Sequence, residues 1–320
     1  MYGTAYDACR NSNPYYCDHK CGYNKNRFVL YTSNDMVTWT IRNKNLIPEF
    51  DKDSDHNSYW MPNVAYNRAR KEWVMIYWDT KTMDKNLCNV NRAVSKNPEG
   101  PFTPTAPIYL HSCRGGGSTA GLWVDDDNTA YLRHDHHVGA NTFIEKLTDD
   151  WSNGTDTWAT VINSPVRPYL EGGGFFKNRQ TGIYYVMAGS LCCFCSWGST
   201  AEVFYAKSPL GPWKYQGNIN QCADGRKIDW EKATDDATNP CSLDNPAGTN
   251  FTIPAQQFNS VEFSYNGGRN WTFLFYGERS QTGPGSVKSN QFQAWIPLEF
   301  ESDGIRLKQM KWLDRFELEV

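Results

Sequence analysis

Long apolar runs, blocks of like charge and extended helical periodicity are all missing from this 320-residue sequence. No apolar stretch approaches the ~20 residues that a membrane-spanning helix needs, so we expect no membrane span. The 32 basic and 35 acidic residues give a net charge of −3. No run of Lys or Arg indicates a nucleic-acid-binding face, so we expect no nucleic-acid partner. The chain opens on the strand-like segment MYGTAYDACR, in which we expect no signal peptide.

Short runs rich in Tyr, Trp, Val and Ile take the place of helical patterns. Five of them are separated by segments rich in Gly, Asn, Asp and Pro: RFVLYTS, EWVMIYW, TAYLRHD, IYYVMAG and WTFLFYG. This arrangement is typical of an all-β protein. Aromatic residues make up 15 % of the chain. They suit pleated sheets, and they equally suit a protein that stacks sugars on aromatic faces.

A strand, a polar turn and a final aromatic residue recur along the chain. The phrases YTSNDMVTW, AVSKNPEGPF, EKLTDDW and YAKSPLGPW end at Trp39, Phe102, Trp151 and Trp213, at intervals of 63, 49 and 62 residues. QAWIPLEFESDG fills the equivalent place in a fifth unit, after an insertion at about 217–250. Repeats of this length, with about four strands each, predict a five-bladed β-propeller. We expect a single domain over residues 1–320. A two-sheet sandwich would not explain the recurring phrase.

The ten cysteines indicate an oxidising, secretory environment. Three N-glycosylation sequons accompany them, at Asn153, Asn250 and Asn270. We therefore expect a secreted glycoprotein in which Cys222 pairs with Cys241, closing the insertion, and Cys88 pairs with Cys113. The connectivity of the other cysteines stays open. The segment Cys192-Cys193-Phe-Cys195 lacks the paired spacing of a zinc site, so we predict no metal site.

One carboxylate stands out in the segment YLEGGGFFKNRQTGIYYVMAGS. Glu171 ends a short apolar patch and is followed at once by Gly172, Gly173 and Gly174. In a propeller, the innermost strand of each blade points one end at the central axis, so a polar residue there projects into a shared cleft. We interpret Glu171 as such a residue, with the glycines keeping the space before it empty. The alternative is an incidental surface Glu at a chain reversal.

The starts of the predicted inner strands resemble those of a known family. Trp60-Met-Pro-Asn63-Val is similar to a Trp-Ala-Pro-Asp-Val segment of glycoside hydrolase family 43. Asp125-Asp126-Asp127, with Ala130-Tyr131-Leu132 after it, is similar to that family's Asp-Asp-Asp-Gly-x-Ala-Tyr-Leu segment. The family consists of five-bladed propellers that cleave arabinan, xylan and galactan, and the resemblance runs over nearly the whole chain. Gln256-Gln257 and the YGERS…QAWIPLEF ending resemble its exo-β-1,3-galactanase branch, in which a Gln faces the site.

The resemblance implies a reaction with two groups placed across a glycosidic bond. Glu171 matches the general acid of the family. Gln257, or Gln256, would position the attacking water or act as a tautomeric surrogate for the base. The resemblance also implies substrate contacts from a further set: Tyr59, Trp60, Asn63, Trp197, Glu278 and Arg279. For the three aromatic residues of that set, packing in the core is an equally open interpretation.

Several positions depart from the family pattern. The family carries its base Asp on the first inner strand, of which Tyr2-Gly3-Thr4 resembles the tail. Ala120 stands where the family has an Asp that modulates the acid, and Asn63 stands where Asp is usual. The galactanase branch has a Glu at the position of Trp60.

Other polar residues are open to two interpretations. Asp55 and His56 precede the second inner strand and either reach the mouth or form a solvated loop pair. His134, His136 and His137 follow a predicted strand into a hairpin turn, so we expect exposed polar residues there rather than a metal site.

The resemblance implies a glycosidase that acts on β-linked galactan or a related plant or algal polysaccharide, and we expect it to need no cofactor. The alternative is a glycan-binding or structural extracellular glycoprotein that kept the propeller and lost the chemistry.

Overall fold

The computed structural model describes residues 1–6, 26–52, 59–79, 88, 90–113, 117–136, 141–163, 170–190, 195–229, 232, 239–242, 249–282 and 291–318. For residues 51–52, 117–120, 136 and 162–163 only the backbone is described. Asp55, His56 and His137 lie outside these ranges. Among the described residues, no helix is long and apolar enough to cross a membrane.

Five antiparallel sheets follow one another along the chain. Blade one contains β1 (Tyr2–Ala5), β2 (Arg27–Thr32) and β3 (Thr40–Asn43). Blade two contains β4 (Tyr59–Asn67), β5 (Glu72–Asp79), β6 (Val90–Ser95) and β7 (Thr103–Pro104). Blade three contains β8 (Gly117–Val124), β9 (Ala130–His136), β10 (Asn141–Leu147) and β11 (Gly154–Asn163). Blade four contains β12 (Leu170–Asn178), β13 (Ile183–Ser190), β14 (Glu202–Ala206) and β15 (Lys214–Asn218). Blade five contains β16 (Gln256–Tyr265), β17 (Asn270–Arg279) and β18 (Phe292–Pro297).

The predicted five-bladed β-propeller is confirmed. Each sheet is a meander in which neighbouring strands in sequence are neighbours in space, which is how propeller blades are built. A short 3-10 helix at Pro48–Lys52 connects blades one and two. The central strand β13 is buried along its whole length, because blades cover both of its faces. Its sequence, IYYVMAGS, is accordingly apolar without alternation.

The hydrophobic core lies between the blades rather than at one centre. One cluster joins blades one and two around Phe28 and Tyr77, and a second joins blades two and three around Ile76 and Trp151. A third joins blades three and four, and a fourth joins blades four and five around Phe176. Burying apolar faces between consecutive blades is what stabilises this kind of ring.

The recurring aromatic phrase has a structural reason. Phe102 and Trp151, which end two of the phrases, are fully buried between blades. Each closes the turn that leads from the third strand of its blade to the fourth. The phrase therefore identifies the third strand of a blade.

Both predicted disulfides are formed. Cys88 bonds to Cys113, and Cys222 bonds to Cys241. The second bond packs against Phe251 within the segment between blades four and five. Cys195 is also disulfide-bonded.

A charged network ties blades three, four and five together at the ends of their inner strands. Lys177 Nζ lies 2.8 Å from Asp125 Oδ1 and 2.9 Å from Asp126 Oδ2. Arg179 pairs with Asp126 and with Glu262. Burial by itself would raise the pKa of Asp126, but hydrogen bonds from Lys177 and Arg179 outweigh it and lower the pKa. The Asp-Asp segment that resembles the family motif thus serves interblade ion pairs.

Candidate active site

Four inner strands share a β-bulge near their starts. The pairing register shifts between Trp60 and Asn63 in β4, Gly117 and Ala120 in β8, Glu171 and Gly174 in β12, and Gln257 and Asn259 in β16. Bulges bend a strand and redirect its side chains, and they are common at rims and beside active sites. These four strand starts form the axial mouth of the propeller, and the candidate site is built from them.

Glu171 and Gln256 meet at this mouth. Glu171 is the second residue of β12, opposite Gly189, and it is partly buried. Gln256 opens β16 and is 7 % exposed. Its side-chain Nε2 donates a hydrogen bond of 2.8 Å to Glu171 Oε2. The predicted acid and one of the two predicted glutamines are therefore in direct contact.

The glycine triplet does not leave an empty space, so that expectation was wrong. Gly172 has a φ of 117°, and a Cβ added there would lie 2.0 Å from Gln257 Oε1. A Cβ on Gly174 would lie 2.7 Å from Gln257 Nε2. A Cβ on Gly121 of blade three would lie 2.5 Å from the carbonyl oxygen of Gly173. The glycines allow Gln257 and a neighbouring strand to pack directly on the backbone of β12.

Gln256 and Gln257 therefore differ in their surroundings. Gln257 is 1 % exposed, and its backbone N–H donates to Ser199 Oγ at 3.2 Å. Neither atom of its side-chain amide has a hydrogen-bond partner in the part of the chain that the structure describes. Gln257 lies behind the glycines, whereas Gln256 is the glutamine that touches Glu171.

A cleft of about 440 Å³ lies between blades one, two and five. Trp60, Asn63 and Glu278 line it. Glu278 is directly opposite Gln256 in the β16–β17 pair, so a second carboxylate stands next to the Glu171–Gln256 contact. Asn63 Oδ1 accepts a hydrogen bond of 3.2 Å from Asn259 Nδ2. Sequence reasoning missed Asn259, although it follows the predicted glutamines on the same strand.

A tyrosine on the cleft wall keeps its proton. Tyr276 lines the cleft two residues before Glu278. Burial, and then the charge of Glu278, raise the pKa of the Tyr276 phenol. Its hydroxyl is therefore a hydrogen-bond donor at every pH at which the protein would work.

Three residues predicted to bind substrate lie elsewhere. Tyr59 is 7 % exposed and belongs to the core between blades one and two, where its ring stacks on Phe50 at 3.5 Å. This is core packing, the alternative that sequence reasoning left open. Arg279 places its guanidinium 4.8 Å from the ring centre of Trp312. The Trp312 ring therefore covers the planar face of the guanidinium.

Trp197 is the third. Its side chain packs against the cluster formed by Phe251 and the Cys222–Cys241 disulfide, and its carbonyl accepts from Phe251 N at 3.2 Å. This tryptophan supports the inserted segment.

The histidines were predicted to be exposed, and for His134 this was wrong. His134 is on β9, 1 % exposed, with its Nε2 2.8 Å from Ser112 Oγ. Ser112 Oγ also donates to Glu145 Oε2 at 2.6 Å, so these three buried polar side chains satisfy one another. Ala120 pairs with His134 across the β8–β9 ladder. Within the described ranges, no group of three or more His, Cys, Asp or Glu residues could hold a metal ion.

A five-bladed propeller with a partly buried carboxylate at its axial mouth has the architecture of the propeller glycosidases. Residues 4–240 match the sequence model of glycosyl hydrolases family 43. That match spans more than half of the chain, so the chain belongs to this family. Blade five, which carries Gln256, follows the matched region.

Solved structures with the same fold carry related descriptions. A GH43 β-1,3-galactosidase solved with galactodeoxynojirimycin is 17 % identical, with a TM-score of 0.65 over 91 % of this chain and 87 % of its own. An exo-β-1,3-galactanase from Clostridium thermocellum is 19 % identical, with a TM-score of 0.66 over 97 % of this chain and 59 % of its own. An exo-β-1,3-galactanase variant from Phanerochaete chrysosporium, solved with β-1,3-galactotriose, is 20 % identical, with a TM-score of 0.61 over 88 % of this chain and 56 % of its own.

At this level of identity the structures establish the shared fold alone. The chain spans less than two thirds of the length of the two galactanases. No curated protein matches the sequence.

Proposed function

We propose that this protein is a glycoside hydrolase that cleaves β-linked galactan, or a related plant or algal polysaccharide, with Glu171 as the general acid. The observation that carries the proposal is the hydrogen bond from Gln256 to Glu171 at the axial mouth. It holds a partly buried carboxylate in one position where four inner strands begin. The chain's family and the β-1,3-galactan-directed names of its structural neighbours support the substrate class.

Gln256 is better suited to hold the acid than to act as the base surrogate. In an inverting glycosidase the two catalytic groups stand ~6.5–9.5 Å apart, because a sugar and a water must fit between them. A side chain that donates directly to Glu171 is too close for that role in this arrangement. We therefore assign Gln256 as a positioning residue. Glu278, its neighbour across the β16–β17 pair, is the second carboxylate that we propose at the site.

The remaining contacts of the sugar fall to the cleft wall. Trp60 offers an aromatic face, and Tyr276 offers a hydroxyl that stays protonated. Asn63 and Asn259, already hydrogen-bonded to each other, present amide groups at the same rim. Such a mixture of one aromatic face with a few fixed polar groups suits carbohydrate binding.

Product release from β-1,3-galactan tests the proposal. We expect Glu171→Gln to lower turnover by about 10²–10⁴-fold, the range for loss of a general acid. Glu301→Gln changes the same functional group at an exposed turn and should leave turnover unchanged. Equal rates in wild type and Glu171→Gln would remove Glu171 from the mechanism. Binding of galactan by a wild-type protein that releases no product would establish the glycan-binding alternative instead.

We also propose that the protein is secreted and N-glycosylated at Asn153, Asn250 and Asn270. Two disulfides support an oxidising environment. Asn153 and Asn250 are exposed, and Asn270 begins β17 after a hairpin turn. Protein from a secretory host should lose mass on enzymatic deglycosylation. Each single Asn→Gln variant at these three positions should lose one glycan less than the wild type. An unchanged mass would contradict the proposal.

A further inference from the structure

An exposed tyrosine lies beside one of the three N-glycosylation sequons. Tyr109 is 52 % exposed, although its chain neighbours Ile108 and Leu110 are buried in the core between blades two and three. A single exposed aromatic ring is ordinary on a protein surface. What Tyr109 can do therefore depends on the groups that surround it.

Two hydrogen bonds join Tyr109 to the sequon at Asn153. The backbone N–H of Tyr109 donates to Asn153 Oδ1 at 3.2 Å. The backbone N–H of Gly154 donates to the carbonyl oxygen of Tyr109 at 2.8 Å. The nitrogen of the Asn153 side-chain amide is the atom that would carry a glycan. The attachment point is therefore next to the residue that bears the exposed ring.

The turn that carries Asn153 is fixed in place. The backbone N–H of Thr148 donates to the Asn153 carbonyl oxygen at 2.8 Å, and the N–H of Asn153 donates to Thr148 Oγ1 at 3.2 Å. Trp151, in the same turn, is fully buried. A glycan on Asn153 would therefore start from a rigid position beside Tyr109.

Polar groups border the exposed ring on its other side. The buried carboxylate of Glu145 accepts from the backbone N–H groups of His111, at 3.1 Å, and Asp156, at 3.2 Å, and so holds the two segments together. The His111 ring lies edge-on to the Tyr109 ring, with 5.0 Å between their centres. The Asp156 carboxylate is 3.8 Å from His111 Nδ1. An aromatic face with polar groups at its border suits the apolar face and the hydroxyl groups of a sugar.

We propose that Tyr109, bordered by His111 and Asp156, is the binding platform for the first N-acetylglucosamine of a glycan on Asn153. The inference rests on the N-glycosylation proposed above. The C–H face of the sugar stacks on the Tyr109 ring, and its polar groups meet His111 and Asp156. Because the sugar is attached to the chain, this contact is intramolecular and forms even if it is weak. The glycan then stabilises the folded chain.

The experiment compares one chain with and without this sugar. Asn250→Gln and Asn270→Gln leave Asn153 as the single sequon, and protein from a secretory host is trimmed enzymatically to one N-acetylglucosamine. Its unglycosylated counterpart is the same chain from the bacterial periplasm, which is also oxidising. Tm is measured for both forms of four proteins: the chain with no further change, Tyr109→Phe, Tyr109→Ala and Tyr215→Ala. Tyr215 is as exposed as Tyr109 but lies on blade four, so it is the matched control.

We expect the sugar to raise Tm by about 1–3 °C in the chain with no further change, in Tyr109→Phe and in Tyr215→Ala. It should leave Tm unchanged in Tyr109→Ala, which has no ring to stack on. An equal rise in Tyr109→Ala, or no rise in the chain with no further change, would overturn the proposal. Loss of the rise in Tyr215→Ala as well would also count against a specific platform.

Two further measurements need no substitution at Tyr109. In NMR spectra of the chain with an isotope-labelled sugar, C–H protons of that sugar should shift upfield under the ring current of Tyr109, and the absence of such shifts would overturn the proposal. Mass spectrometry of the wild type separates the two proposals. A glycan at Asn250 or Asn270 with none at Asn153 would overturn the platform alone, and a chain without any glycan would overturn N-glycosylation as well.

Discussion

The side-chain amide of Gln256 donates a hydrogen bond of 2.8 Å to Glu171 Oε2, which joins the first residue of β16 to the second residue of β12. The two residues are 85 positions apart in sequence. Gln256 is held in turn by the β16–β17 ladder, where it lies opposite Glu278. Blade five thus fixes the orientation of a carboxylate that blade four supplies.

Removing that contact should affect turnover more than substrate binding. If Glu171 is the acid, as we propose, we expect Gln256→Leu to lower kcat on β-1,3-galactan by on the order of 10²-fold, because the displaced carboxyl group no longer lines up with the leaving oxygen. KM should change much less. Gln180→Leu, at an exposed hairpin turn of blade four, is the matched control and should behave like wild type. A rise in KM at constant kcat would instead make Gln256 a substrate-binding residue.

Gly172 should be far less tolerant of a side chain than a glycine in a nearby turn. Gly172→Ala combines a positive φ with contact to both the side chain and the carbonyl of Gln257. The left-handed backbone costs about 1–2 kcal/mol, and overpacking adds about 1–3 kcal/mol. Gly182→Ala has a positive φ but open space around the new Cβ. Its free energy of unfolding should therefore fall by the backbone cost alone. Urea unfolding of the two variants measures their free energies of unfolding.

A second variant separates the two contributions. Gln257→Ala should remove the side-chain contact and recover part of the loss in Gly172→Ala, and the remaining contact with the Gln257 carbonyl should keep recovery incomplete. Equal destabilisation by Gly172→Ala and Gly182→Ala would show that the close packing is not important.

The repeat made the fold predictable from sequence. The aromatic phrase ends at residues such as Phe102 and Trp151, which are fully buried between blades, so its spacing reports the blade period directly. The Cys222–Cys241 disulfide could be predicted because it closes the insertion between blades four and five, and the Cys88–Cys113 bond was predicted with it.

The details of the site depend on geometry that the sequence does not display. A bulge between Gln257 and Asn259 breaks the alternation of side chains along β16, so residue order alone could not show which glutamine faces Glu171. The glycine triplet has the same sequence whether it borders a cavity or a packed side chain, and the structure places Gln257 against it. Tyr59 has the composition of a sugar platform, but its ring is stacked on Phe50.

Glu262 should be important for stability because three groups converge on it. Its carboxylate accepts from Trp123 Nε1 at 3.2 Å, from Lys177 N at 3.3 Å and from Arg179. The side chain is only 16 % exposed. Glu262→Gln should lower the free energy of unfolding by about 1.5–3 kcal/mol, the range for hydrogen bonds to a charged group.

The matched control for Glu262 is an exposed ion pair. Glu299 pairs with Lys308 but is 67 % exposed, and Glu299→Gln should change the free energy of unfolding by about 0–1 kcal/mol. Similar effects of the two substitutions would show that the network between blades three, four and five contributes no more than a surface pair.

Acid should weaken the turn near the C-terminus through Asp303. A hydrogen bond from the Arg306 side chain, followed by those from Ile305 N and Arg306 N, lowers the pKa of Asp303 to about 2 from its usual 3.8. Because the folded-state pKa is the lower one, the carboxylate stabilises the fold fully above pH 3.8, and this contribution disappears as pH falls to about 2. Asp303→Asn should therefore lower Tm at pH 6, with a deficit relative to wild type that shrinks between these two pH values. Glu317→Gln removes an equal charge at an exposed position and controls for net charge. A deficit that stays constant or grows as pH falls would mean that the turn does not depend on the ionised carboxylate.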